Sequence, residues 1–153
     1  MSIVDYLGND HVLVGIPSRS KKQAIEELVE RVAALTGLSQ RRLLDMVMRR
    51  ERLGSTGIGG GIAIPHAVHG DVTHTIALLA TLETSVDFDS IDGQPVDIVC
   101  LVVGPPNDGA NNLKCIASLT RLLKQASACE QLRSAKSPEA VMRCLQSCRS
   151  VAA

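Results

Sequence analysis

The chain has 153 residues and carries 16 basic and 16 acidic side chains, so its net charge is zero; that balance removes the electrostatic footprint expected of a nucleic-acid or acidic-membrane partner. With 45% apolar and 21% charged residues it has ordinary globular composition, which excludes a disordered chain, and its length fits one core, a single domain over residues 1–153. Tyr6 and Phe88 are the only aromatics, so the core must be aliphatic and the stacking platforms of single-stranded nucleic-acid binders are missing.

In chain order, Ser20 with Gln23 three residues on reads as a capping box, and Ile25, Leu28, Val29, Val32 and Leu35 then fall on one helical stripe that Gly37 ends. Ser39 caps a second helix in which Leu43, Met46, Val47 and Met48 are apolar while Arg41, Arg42, Arg49 and Arg50 are basic. Residues 53–66 read LGSTGIGGGIAIPH, a glycine-rich loop leading into a short apolar strand at 62–64. Residues 75–82 and 96–103 are β-branched apolar runs of strand length, buried on both faces, with a turn at Asp92-Gly93 between them. After the loop Gly104-Pro-Pro-Asn-Asp-Gly109, the residues Leu113, Ile116, Ala117, Thr120 and Leu123 recur at helical spacing. Ser137-Pro138-Glu139 opens a final helix with a cap, a first-turn proline and an acid. Helices before, between and after apolar strands point to an α/β layered domain around a central mixed sheet.

The five cysteines, Cys100, Cys115, Cys129, Cys144 and Cys148, form no CxxC pair and read as reduced, mostly buried thiols. Cys144 and Cys148 mark the core face of the last helix. No basic flank precedes a long apolar run at the start, and no stretch approaches the ~18 apolar residues of a membrane span, so a cytoplasmic protein without membrane insertion is expected.

The glycine-rich loop invites a nucleotide reading, which fails on its residues. A P-loop needs Gly-Lys followed by Ser or Thr, and residues 54–61 contain no lysine; the dinucleotide fingerprint begun at Gly57 would place Ile62 at its sixth position. Two readings remain. Either the N–H groups of Gly57, Gly59, Gly60 and Gly61 cradle an anion, or the loop is a tight connection that needs positive φ.

Pro65, just before His66, fixes its own φ and biases Ile64 toward an extended shape, so the imidazole is delivered at the end of a strand with limited freedom. A histidine so presented suits nucleophilic work, because a neutral ring attacks and its phosphoramidate still passes the group onward. Phosphoryl transfer also asks for positive charge around the equatorial oxygens, which the forked guanidinium of Arg50 supplies. Arg49, Glu51 and Arg52 read as solvent-facing neighbours or docking charges. His11, His69 and His74 read as ordinary surface or core histidines. A zinc site from His66, His69 and His74 has no cysteine or carboxylate to support it, so no metal and no cofactor are expected.

The run from Arg50 through the glycines to Pro65-His66 resembles the active-site motif of bacterial phosphotransferase system IIA components of the fructose/mannitol type, and most of all their nitrogen-regulatory branch. The resemblance continues through Ile91-Asp-Gly-Gln-Pro-Val-Asp97 and through Ser137-Pro-Glu. It implies a three-layer α/β/α fold around a mixed sheet and phosphorylation of His66 by a phosphohistidine carrier like HPr, with enzyme I and phosphoenolpyruvate upstream. It also implies an active-site role for Arg50, attack through Nε2 and a second histidine at the start of the helix after the Gly-Pro-Pro loop. Here that position is Asn112, which donates hydrogen bonds but exchanges no proton. Two readings follow: a competent acceptor slowed by the substitution, or a binding-only regulator of a target such as a kinase or transporter.

Overall fold

The computed structural model describes residues 3–152, with side chains described as far as Cys148. After two 3-10 turns, Ile3–Asp5 and Asn9–His11, come β1 (Val12–Ile16), α1 (Lys21–Thr36) and α2 (Gln40–Leu53). Three short strands follow, β2 (Gly57–Gly59), β3 (Ile62–Ala63) and β4 (His66–Val68), and then two long ones, β5 (Ile76–Val86) and β6 (Val96–Gly104). The chain ends in α3 (Gly109–Leu123), α4 (Ala126–Ser134) and α5 (Pro138–Ala152).

The sheet is mixed, in the order β1-β5-β6-β3-β2, with β4 also on β6. β5 and β6 run antiparallel, whereas β3 and β4 both pair parallel with β6, Ile62 opposite Ile98 and His66 opposite Val102. β3 and β4 therefore lie end to end along one strand. Period-two alternation sorts the sheet's side chains into two cores. Ile98, Cys100 and Val102 pack with Cys115 and Leu119 of α3 and Leu145 of α5; Val99, Leu101 and Val103 pack with Ile25 and Leu28 of α1 and Leu43 and Val47 of α2. The expected α/β/α layering is the observed one.

The helix caps act locally. Ser20 Oγ accepts from Gln23 N–H at 3.1 Å, while Gln23 Oε1 reaches one residue further back than a capping box requires, to Arg19 N–H at 2.7 Å. Gly37 closes α1 in the left-handed region, at φ 77°. Ser39 caps α2 through Arg42 N–H, and Ser137 caps α5 through Ala140 N–H.

Four sequence expectations change. β5 runs to Val86, past residue 82, and 62–64 does not stay one strand because β3 stops at Ala63. The stripe read on α3 is rotated: Leu113 and Ala117 are exposed, and the buried positions are Asn112, Cys115, Leu119, Leu122 and Leu123. β1 and α4 were not legible, β1 being five residues interrupted by Gly15 and α4 a nine-residue helix. Glu51 is not solvent-facing: its side chain is 2% exposed and pairs with Lys21 Nζ at 2.7 Å. Thr56 gives Glu51 both its N–H and its hydroxyl, and Lys21 Nζ also lies 4.9 Å from the Phe88 ring centroid.

Candidate active site

Pro65 has no N–H to give a ladder, and its carbonyl accepts from Val102 N–H at 3.0 Å as the chain passes from β3 to β4. His66 is thus the first residue of β4, not the end of a strand. It is half-buried, and its Nδ1 lies 3.0 Å from the carbonyl oxygen of Ile64. A carbonyl only accepts, so Nδ1 carries the proton and the Nε2 lone pair points away from that anchor.

Register fixes the company His66 keeps. Paired with Val102, it leaves the sheet on the face of α3 and α5, the face on which Ile62 and Ile64 also lie. Two residues further along β6, Gly104 meets Asn112 on that face: a Cβ on Gly104 would stand 1.8 Å from Asn112 Oδ1. Asn112, in the first turn of α3, is buried, so it comes within ~10 Å of His66 by one strand spacing and two residue rises. Its amide is held at both ends. Thr75 Oγ1 donates to Oδ1 at 2.5 Å and Nδ2 donates to the Pro105 carbonyl at 3.0 Å. The chain of bonds continues outward, Asn111 Nδ2 donating to Thr75 Oγ1 at 3.2 Å and the Tyr6 hydroxyl to Asn111 Oδ1 at 2.8 Å. Burial pushes the Tyr6 phenol up, which keeps it a donor.

Arg50 stands apart. α2 lies on the other face of the sheet and against β4, and Arg50 Nη1 donates to the Gly54 carbonyl at 2.9 Å, closing the helix end. It pairs with no carboxylate among the described residues.

Gly57 pairs with Ala63 on β3, close to the Ile64-Pro65-His66 segment, whereas the turn at Gly59, Gly60 and Gly61 lies further off. Gly61 carbonyl accepts from Asp97 and Ile98 N–H, five and four residues before Val102 on β6, which sets the turn ~15 Å from the imidazole. Their amides and carbonyls are also committed: Gly57 N–H to Ser55 Oγ, Gly60 N–H to Asp92 Oδ2, and Gly60 carbonyl to Arg133 Nη2. Gly60 first, and Gln94 second, hold the Asp92 carboxyl below its usual range by donating backbone N–H groups to it. Gly59, Gly60 and Gly61 sit at φ 96°, 66° and 81° to turn β2 into β3, and a Cβ on Gly57 would stand 2.3 Å from Ser90 Oγ.

The other histidines serve locally. His11 Nδ1 meets the Ala77 carbonyl, His69 is buried with Nδ1 accepting from Asp71 N–H, and exposed His74 meets Thr73 Oγ1. Among the described residues no group of three or more His, Cys, Asp or Glu side chains is arranged to hold a metal ion, so the zinc reading of His66, His69 and His74 has no geometry behind it. Thr75, Gly104 and Pro105, which seat Asn112, had no motif to reveal them. The only sequence signal was their nearness to strand ends beside the Asn111-Asn112 pair.

Over residues 5–148 the chain matches the family described as phosphoenolpyruvate-dependent sugar phosphotransferase system, EIIA 2, and it belongs to that family. Its relatives include nitrogen regulatory proteins and sugar-specific components. A nitrogen regulatory protein of Bradyrhizobium diazoefficiens is 38% identical over 141 residues, 92% of each chain. The crystal structure of nitrogen regulatory protein IIA-Ntr from Neisseria meningitidis superposes with a TM-score of 0.88 at 31% identity, over 94% of this chain and 98% of that one. The IIA mannitol structure from Escherichia coli gives 0.77 at 25% identity, over 91% and 98%.

Proposed function

We propose that Nε2 of His66 accepts a phosphoryl group from a phosphohistidine carrier of the HPr kind, itself charged by enzyme I and phosphoenolpyruvate, and that the chain works in the cytoplasm as a metabolic regulatory subunit. One observation carries this reading: the 3.0 Å contact from Nδ1 to the Ile64 carbonyl fixes the tautomer and leaves Nε2 as the nucleophile. In the transfer, the carrier's P–N bond breaks as the bond from phosphorus to His66 Nε2 forms. The carrier's ring recovers its lone pair, and His66 Nδ1 keeps its proton on Ile64.

The chain's other residues position and neutralise. One Nδ2 hydrogen of Asn112 is bound to Pro105, and the other is the donor for a phosphoryl oxygen. Arg50 exchanges the neutral Gly54 carbonyl for a dianionic phosphoryl group, a charge-assisted bond about twice as strong. Loss of a proton-exchanging group at Asn112 slows transfer by at most ~10²–10⁴-fold.

A second reading, a binding-only regulator, is favoured by the clamped, non-titrating amide of Asn112 alone. Incubation with enzyme I, an HPr-like carrier and phosphoenolpyruvate separates the two. An acid-labile adduct absent from His66→Ala supports the relay, and no adduct on the wild-type chain supports the binding-only regulator.

A further inference from the structure

Away from His66, the antiparallel pair α1 and α2 forms a cleft of about 420 Å³ whose cations are Lys22, Arg41, Arg42 and Arg52. Arg41, Arg42 and Arg52 make no ion pair among the described residues, and Lys22 reaches only Glu26, at 4.0 Å. The one acid in the lining, Asp45, is taken by Arg49 at 3.0 Å. In a chain of zero net charge, this is a local surplus of positive charge whose three guanidiniums have no carboxylate partner among the described residues. Between the cations lie Leu44 and Met48, half-buried and four residues apart, so they make an apolar floor along the α2 ridge.

We propose that this cleft docks an acidic amphipathic helix of a partner protein. A groove between two packed helices accepts the ridge of a third, and the floor takes an apolar side chain at each turn while the flanking guanidiniums meet carboxylates. Arginine predominates over lysine three to one, which suits forked recognition of carboxylates. Nucleic acid fits less well, because the lining has no aromatic side chain to stack a base and its floor is aliphatic. A membrane surface fits less well too, because the apolar part of the lining is only Leu44 and Met48, both half-buried. The surface is separate from the chemistry of His66 and stands or falls without it.

The test uses the full chain and a labelled, end-blocked peptide of about 18 residues, with leucines at i, i+3 and i+4 and glutamates elsewhere, read by fluorescence anisotropy at about 0.15 M salt, where surface charges are screened beyond ~8 Å. Saturable binding is expected, weakened at least about tenfold in Arg41→Glu/Arg52→Glu and within about twofold of wild type in Arg121→Glu/Lys124→Glu, the same charge change on α3 and its cap. Circular dichroism melts confirm that both variants fold. His66→Ala is expected to bind as wild type does, so failure here and failure of phosphotransfer are told apart. The proposal is overturned by no saturable binding to the wild-type chain, or by equal weakening in both double variants. It is equally overturned if the peptide with leucines replaced by glutamine, a single-stranded oligonucleotide or anionic vesicles bind as tightly.

Discussion

The hydroxyl of Thr75 donates to the amide oxygen of Asn112 at 2.5 Å, and the same amide's nitrogen donates to the carbonyl of Pro105 at 3.0 Å. The side chain beside His66 is therefore held in one orientation by one donor and one acceptor, over a glycine with no room for a Cβ.

Asn112→Asp keeps the acceptor for Thr75 and replaces the donor to Pro105 with an oxygen facing an oxygen. The variant should lose about 1–3 kcal/mol of stability and transfer phosphate more slowly than wild type, since a carboxylate repels the incoming group. Chemical denaturation and a phosphotransfer time course check both. A transfer rate at or above wild type would mean that Asn112 does not face the phosphoryl group.

The buried pair Lys21–Glu51 ties α1 to the end of α2 and, through Thr56 and the Phe88 carbonyl, to two loops. Lys21→Met strands the Glu51 carboxylate and should cost about 3–5 kcal/mol, whereas Lys21→Met/Glu51→Leu should cost less than Lys21→Met alone. Urea melts of the three chains decide it. Simple additivity would show that the two charges do not depend on each other.

How far the fold was legible follows from where the local signals lay. The caps at Ser20, Ser39 and Ser137 and the stripe of α1 as far as Val32, though not Leu35, which is exposed, were readable because each is settled by residues within a few positions of it. The face of α3 was not, because Asn112 is buried as part of a polar seat made with Thr75 and Gly104, far off in the chain, and a polar residue does not register in a hydrophobic stripe. Glu51 escaped for the same reason: its partner Lys21 sits 30 positions earlier. The place of the glycine loop was not legible because its composition fits a turn and a nest alike. Only the pairing of Gly61 with Asp97 and Ile98, distant in sequence, puts it at the far end of β6 from His66.

Gly57→Ala tests that placement. Its Cβ would collide with Ser90 and lift the segment before Asp92 off β2, so a loss of stability is expected with phosphotransfer per folded molecule unchanged. A selective loss of transfer at full stability would return the loop to the active site.

The thiols give a pH signature. Burial pushes Cys115 up to about 12 and Cys144 up to about 11, and raises Cys100 further still. The folded chain holds these protons while the unfolded chain releases them above about 9, so stability is intact below that pH and falls as pH rises toward 11–12. Ellman's reagent at pH 8 should find the native thiols slow and all five reactive in denaturant. Rapid native labelling of Cys100 or Cys115 would contradict their burial.

The central claim is the identity of the attacking atom. Nitrogen-15 NMR of the phosphorylated chain, with histidine labelled in the ring, reads it from the phosphorus–nitrogen coupling. Coupling to Nε2 of His66, with Nδ1 still protonated against the Ile64 carbonyl, is the result the geometry requires. Coupling to Nδ1, or to the ring of His11, His69 or His74, would contradict it.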